Sequence, residues 1–145
     1  MIYYLDTSAL VKRYYEENGS AWVHSLFQPE NVLMASRVAY AELLAALARK
    51  RREKEITETN FTHAAESFQQ KWKEFVVAEV MEAVFTDLLT LVKRHPLRGF
   101  DAIHLCTALW FRKRPKADIL FACADRNLLT AAETEGLGVR NPEQQ

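Results

Sequence analysis

The sequence predicts an α/β protein built on a parallel sheet, and three observations carry that expectation. Short apolar runs at Ile2 to Leu5, Val32 to Ala35, Phe75 to Ala78 and Asp118 to Ala124 lack the strict alternation of half-exposed strands. They suit strands covered on both faces. Longer stretches with apolar residues three and four apart separate these runs, as in strand–helix–strand units. The first and last runs each end in an acid followed by polar capping residues, Asp6-Thr7-Ser8 and Asp125-Arg126-Asn127. The carboxyl ends of such strands are where ligands bind in open α/β sheets.

The elements follow in order. Ser8 to about Glu17 carries Leu10, Val11, Tyr14 and Tyr15 at helical spacing, and Asn18-Gly19 ends that helix. Ser20 reads as the cap of a second helix bearing Trp22, Val23, Leu26 and Phe27, stopped by Pro29. Ser36 reads as the cap of a longer helix, Arg37 to about Glu53, with Val38, Tyr40, Leu43, Leu44 and Leu47 as its core stripe. Thr57 opens the next, through about Glu74, with Phe61, Ala64, Ala65, Phe68 and Trp72 on one side. Met81, Val84, Phe85, Leu88, Leu89 and Val92 predict one helix ending at His95-Pro96. A loop then leads to Asp101, the expected start of a helix through Phe111. A last helix, about Leu128 to Glu135, is closed by Gly136, and Gly138 to Arg140 reads as an edge strand.

With 145 residues the chain fits one domain, residues 1–145, large enough to bury roughly 70% of its unfolded surface. Nineteen basic against nineteen acidic residues leave no global attraction for nucleic acid, so any basic surface must be local. Arg49 to Arg52 and Arg112 to Arg114 are the candidates, although a run like the first is more often a solvated helix end. Cys106 and Cys123 lie in apolar segments without CxxC spacing and read as reduced core thiols of a cytoplasmic protein. No leader peptide is expected, and charges interrupt every apolar stretch long enough to span a membrane.

Of five aspartates, Asp6, Asp101 and Asp125 fall at strand ends or a helix start. With the first and fourth strands as parallel neighbours, Asp6 and Asp125 emerge at one sheet edge, and the helices carrying Glu42 and Asp101 close over it. Asp118 belongs at the opposite end of its strand. Taken singly, Asp6 also reads as a helix cap, Glu42 as a solvated helix former, and His104 as a surface histidine beside Asp101 one turn away. Taken together, carboxylates without matching cations repel, and a hard divalent ion with oxygen ligands, Mg2+ or Mn2+, resolves the repulsion. Such an ion activates water and stabilises the attacking and leaving oxygens of a phosphodiester. No Gly-rich phosphate loop, GxSxG elbow, Cys/His nucleophile pair or zinc spacing competes. An aspartyl phosphatase of the haloacid-dehalogenase type needs an aspartate where Ser8 stands.

Leu5-Asp-Thr-Ser-Ala-Leu-Val-Lys12, Ala41-Glu-Leu43, Phe100-Asp-Ala-Ile-His-Leu105 and Ala124-Asp-Arg-Asn-Leu128 resemble, in order, the motifs of the PIN-domain nucleases, and the size resembles the VapC toxins. The resemblance implies a three-layer α/β/α sandwich with a parallel central sheet and metal-dependent endoribonuclease activity on RNA. It also implies homodimerisation and inhibition by a cognate antitoxin whose tail enters the acidic groove. Carried over position by position, it makes Asp6, Glu42, Asp101 and Asp125 the metal-binding acids, with Thr7 or Ser8 the hydroxyl beside them. His104 and Arg126 become substrate-contact candidates. Two other functions stay open: a PIN-like RNA- or protein-binding module without catalysis, and a nuclease of RNA maturation without a toxin role.

Overall fold

A computed structural model describes residues 1–114 and 118–145. Among these residues five strands, β1 (Ile2–Leu5), β2 (Val32–Ser36), β3 (Val76–Ala78), β4 (Ile119–Ala122) and β5 (Gly138–Arg140), form one sheet in the order β3-β2-β1-β4-β5. Every pairing is parallel, with Leu5 beside Ala122 and Tyr4 beside Met34 and Phe121. The chain steps outward from β1 through β2 to β3, then returns to the other side of β1 for β4 and β5. The strand order therefore reverses between β1 and β4, which opens a crevice at their carboxyl ends.

Among the described residues seven helices cover the sheet: α1 (Thr7–Leu10), α2 (Ser20–Leu26), α3 (Val38–Arg52), α4 (Glu58–Trp72), α5 (Leu88–Arg94), α6 (Gly99–Arg112) and α7 (Arg126–Thr134). The period-two geometry of the strands divides their side chains between two cores. Tyr3, Leu5, Leu33 and Ala35 pack with Leu10, Leu26, Leu43 and Phe68 of α1 to α4. Tyr4, Met34 and Phe121 pack with Leu91, Leu105 and Leu128 of α5 to α7. The result is the expected three-layer α/β/α sandwich. Truncating a fully buried leucine such as Leu43 or Leu105 to alanine would cost about 2–5 kcal/mol.

Four local expectations are corrected. The first helix does not run to Glu17; α1 has four residues and tightens into a 3₁₀ turn over Val11–Arg13. Lys12 turns inward to pair with Glu17 (3.0 Å) and Glu143 (2.9 Å). Positions five apart do not face each other on an α-helix, so a continuous helix would break that pair. The segment from Met81 to Val92 is likewise two pieces, a 3₁₀ turn at Glu82–Phe85 and then α5. Val84 and Leu91 reach the core, while Leu89 and Val92, expected on the same apolar face, stay exposed.

Ser20 does not cap α2. Gly19 does, at φ +90°, where a Cβ would meet the Pro142 backbone at 2.7 Å. Ser20 instead accepts the Glu17 N–H and donates to the Tyr15 carbonyl. Ser36 closes β2, its hydroxyl accepting the Val38 N–H at a long 3.4 Å, and the N-cap position of α3 falls on Arg37, which makes no side-chain cap bond. Thr57 caps α4 as expected, accepting the Asn60 N–H at 3.1 Å.

Candidate active site

The pairing of Leu5 with Ala122 brings the chain after β1 alongside the chain after β4, and the Asp6 N–H continues the ladder to the Ala122 carbonyl at 3.1 Å. Asp6 then leaves strand geometry and caps α1, its Oδ1 accepting the Ala9 N–H at 2.9 Å. The carboxylate is almost fully buried. Ser8 donates to it at 2.8 Å, and the Cys123 thiol donates to Oδ2 at 3.3 Å. Burial pushes the Asp6 carboxyl above its ordinary range, while His104, the Ala9 N–H, Ser8 and Cys123 pull it back. Asp125 repeats the device on β4: it caps α7 by accepting the Leu128 N–H at 2.9 Å. The two acids are tied together, because Ser8 Oγ accepts the Ala124 N–H and Cys123 Sγ accepts the Asp125 N–H.

The helices supply the other two acids. On α3, Glu42 Oε1 accepts hydrogen bonds from Thr7 at 2.8 Å and from His104 Nε2 at 2.7 Å. Burial acts to raise the Glu42 carboxyl, but His104 and Thr7, with the Arg98 charge, hold it below the ordinary range. Asp101 lies in the first turn of α6, which starts two residues earlier than expected, at Gly99. Arg98, just before that helix, pairs with Asp101 at 3.2 Å and also feels the charges of Asp125 and Glu42. Glu42 and Asp101 line one groove of about 780 Å³, whose walls are Leu88, Leu89, Val92, Phe100 and Ile103.

The structure thus brings Asp6, Glu42, Asp101 and Asp125 to the carboxyl edge at the β1/β4 reversal, and Asp118 to the other end of β4. Thr7 sits against Glu42, and Ser8 is an inward bridge from Asp6 to β4. His104 departs from the sequence expectation. It is only 2% exposed, and its partners are Glu42 and Tyr4, with Asp101 bonded instead to Arg98. The reason is that α6 is buried nearly all round, so it has no solvent face where a surface histidine would sit. Arg126 is exposed at the first position of α7 and makes no side-chain hydrogen bond among the described residues.

Arg112 to Arg114 end α6, about 15–20 Å along the helix from Asp101. Arg112 donates to the Glu135 carbonyl, Lys113 pairs with Asp87 and Arg114 lies over Trp110. In the other basic run, Lys50 lies over Tyr15 and Arg51 over Phe61. Sequence reasoning missed Cys123 as part of the site. Its one signal is position: it follows a strand and precedes Asp125 by two residues, the spacing that returns its sulfur to the turn. Arg98 was missed too, although it stands three residues before Asp101 at helix spacing.

The donor set is chemically suited to a hard divalent cation: carboxylates and hydroxyls, with no competing lysine among the hydrogen-bond partners of the four acids. Among the described residues, no three His, Cys, Asp or Glu side chains already group as a metal cage. Mg2+ does not require one, since it keeps several waters and takes one or two carboxylates together with substrate phosphates. Among the described residues the cation paired with one of these acids is Arg98, whose side chain is largely exposed, so the pair is screened by solvent and readily given up.

Fold and site define an open parallel α/β sandwich with an acid-lined edge at its strand-order reversal. The model of the PIN domain matches residues 3–132, and the chain belongs to the PIN-domain family. It is 33% identical over 136 residues to ribonucleases VapC45 and VapC49 of Mycobacterium tuberculosis, covering 94% of this chain and 92% of each relative. Among solved structures it resembles FitAcB from Neisseria gonorrhoeae, with TM-score 0.70, 19% identity and full coverage of both chains. It also resembles VapBC2 from Rickettsia felis, bound to a DNA fragment of the promoter, with TM-score 0.67, 12% identity and 97% and 98% coverage.

Proposed function

We propose that this chain is a Mg2+- or Mn2+-dependent endoribonuclease, working as one PIN domain and acting in the cytoplasm as the toxin of a toxin–antitoxin pair. The observation that carries the reading is that acids from four separate segments share one edge, with Glu42, Asp101 and Asp125 all acting on the Arg98 guanidinium. Asp6, Glu42, Asp101 and Asp125 are the residues that would hold the cation. Bound there, it would supply Lewis acidity for the scissile phosphate and activate the attacking water. Thr7 orients Glu42, while Ser8 and Cys123 hold Asp6 and the Asp125 turn. The buried flank of Asp6 keeps that carboxylate fixed while the groove admits the nucleic-acid backbone, with Arg126, exposed at the start of α7 beside Asp125, available for a phosphate.

The partner reading rests on the groove itself. Leu89, Val92 and Phe100 expose apolar surface next to Glu42 and Asp101, which suits an antitoxin segment with apolar side chains and a basic residue reaching the acids. The relatives named ribonuclease VapC support the substrate class. A homodimer belongs to the same proposal and is read by sedimentation. No described helix is long and apolar enough to cross a membrane.

The test is incubation of purified, antitoxin-free protein with a panel of structured RNAs, with Mg2+ or Mn2+ and with chelator. Cleavage is expected only with the metal. Equal cleavage in chelator would sink the metal mechanism, and no cleavage of any RNA would favour the binding module. A neighbouring reading frame for a small DNA-binding antitoxin separates the toxin from a nuclease of RNA maturation.

A further inference from the structure

We propose that Tyr4 and His104 form a buried relay that positions Glu42, so that one of the site's acids is aimed from inside the sheet core rather than by the groove. The inference rests on the nuclease reading for its consequence, but its geometry stands alone. Tyr4 is completely buried on β1, stacked on Phe121 with ring centroids 5.3 Å apart and planes 4° apart. Its hydroxyl meets His104 Nδ1 at 2.9 Å, and the other ring nitrogen meets Glu42 Oε1 at 2.7 Å. A phenylalanine would fill this slot without a polar atom to satisfy, and leaving a buried hydroxyl or imidazole unpaired costs free energy. Here each polar atom of the pair has its partner.

The hydrogen positions follow from the acceptor at the end of the line. A carboxylate only accepts, so Nε2 carries the hydrogen facing Glu42. Nδ1 is then the lone-pair side, and the Tyr4 O–H donates to it. Tyr4 thereby reinforces the tautomer that Glu42 requires: its O–H satisfies the buried Nδ1 lone pair and holds the ring in line with the carboxylate, and without it that lone pair is left unpaired. Thr7 donates to the same oxygen at 2.8 Å, with its Oγ1 3.3 Å from His104 Nε2, so the two donors reach Oε1 side by side. Both bonds fall on Oε1, which leaves Oε2 without a hydrogen bond among the described residues, on a side chain that lines the groove, as the oxygen for a cation or a water. His104 and Tyr4 are positioning residues: burial keeps them from nucleic acid.

Two measurements test the relay. In metal-free protein, imidazole nitrogen NMR at a pH where histidines are neutral should show His104 as the Nε2–H tautomer. Tyr4→Phe should move the Nδ1 resonance, which loses its hydrogen bond, while the Nε2–H tautomer persists. A wild-type Nδ1–H tautomer, or an unchanged spectrum in Tyr4→Phe, overturns the relay whether or not the protein cleaves RNA.

The second measurement is a double-mutant cycle on metal-dependent cleavage, with thermal melts to check folding. Tyr4→Phe should lower the rate about tenfold, the lower end of what loss of an outer partner does to a metal-ligating group. In a His104→Gln background, where an amide N–H donates to Glu42 without choosing a tautomer, Tyr4→Phe should cost less than about twofold. An equal loss in both backgrounds is the result of mere packing and overturns the proposal. If the wild type cleaves no RNA, the nuclease reading fails while the spectrum still decides the relay.

Discussion

Two regions of this protein bury charge, and they treat it in opposite ways. Lys12 is 3% exposed, yet it meets the carboxylates of Glu17 and Glu143, which outweigh the effect of burial and hold its pKa above the ordinary value. That cluster ties the end of the 3₁₀ turn after α1 to the last turn of the chain at Pro142–Gln144. At the β1/β4 edge, Asp6 is equally buried but receives only neutral donors, from Ser8, Ala9 and Cys123. At the same edge Arg98 pairs with Asp101 and is 84% exposed. Charge is neutralised where it joins segments and left in excess where the strand order reverses. A protein tolerates such an excess when something else supplies the positive charge.

The strongest way to break the comparison is to neutralise the excess. Asp101→Asn gives up only an exposed pair, so the melting temperature should stay the same, while metal-dependent RNA cleavage should fall at least about a hundredfold. Asp6→Asn keeps the cap acceptor for Ala9 and should behave likewise. Asp118→Asn, at the opposite end of β4, is the control and should leave both readouts alone. A reversal, with Asp118→Asn inactive and Asp101→Asn active, would overturn the site.

On the compensated side, Lys12→Met leaves two carboxylates facing apolar bulk. Glu17 and Glu143 are 33% and 41% exposed, so the cost should be about 2 kcal/mol, below the value for a fully buried pair. Urea denaturation measures it. Activity per folded molecule should be unchanged, and a loss of activity larger than the loss of folded protein would mean that the two regions are coupled.

The smallest effect sharpens the neutral-donor half of the comparison. Cys123 is a thiol whose pKa burial and Asp6 push far up, so it acts as a hydrogen-bond donor and not as a nucleophile. Cys123→Ser should keep cleavage within about twofold, and Cys123→Ala should lower it severalfold at a stability cost near 1 kcal/mol. Equal activity of the two would show that the sulfur only fills space. Cys106, whose thiol burial raises to about 11, has no such contact with the acids and serves as the reference site.

The sequence by itself determined the strands and the two acids that end them. A doubly covered strand must be continuously apolar, so Asp6 and Asp125 are legible as the points where β1 and β4 stop. It also determined the caps that rest on neighbouring residues, such as Thr57 for Asn60, because their partners lie within one turn. Only the tertiary structure decided what depends on distant partners. Glu42 looks like any helix-forming glutamate until Thr7 and His104 arrive, 35 and 62 residues away. His104 looks exposed beside Asp101 until α6 is enclosed on all sides and Tyr4 meets it from 100 residues off. Lys12 and Glu143, 131 residues apart, shorten the first helix in a way no local period records. Local pattern fixes the backbone of each segment; the choice of partner for a buried polar group is made by the fold, since that group must find its hydrogen bonds wherever the packing brings a donor or acceptor within reach.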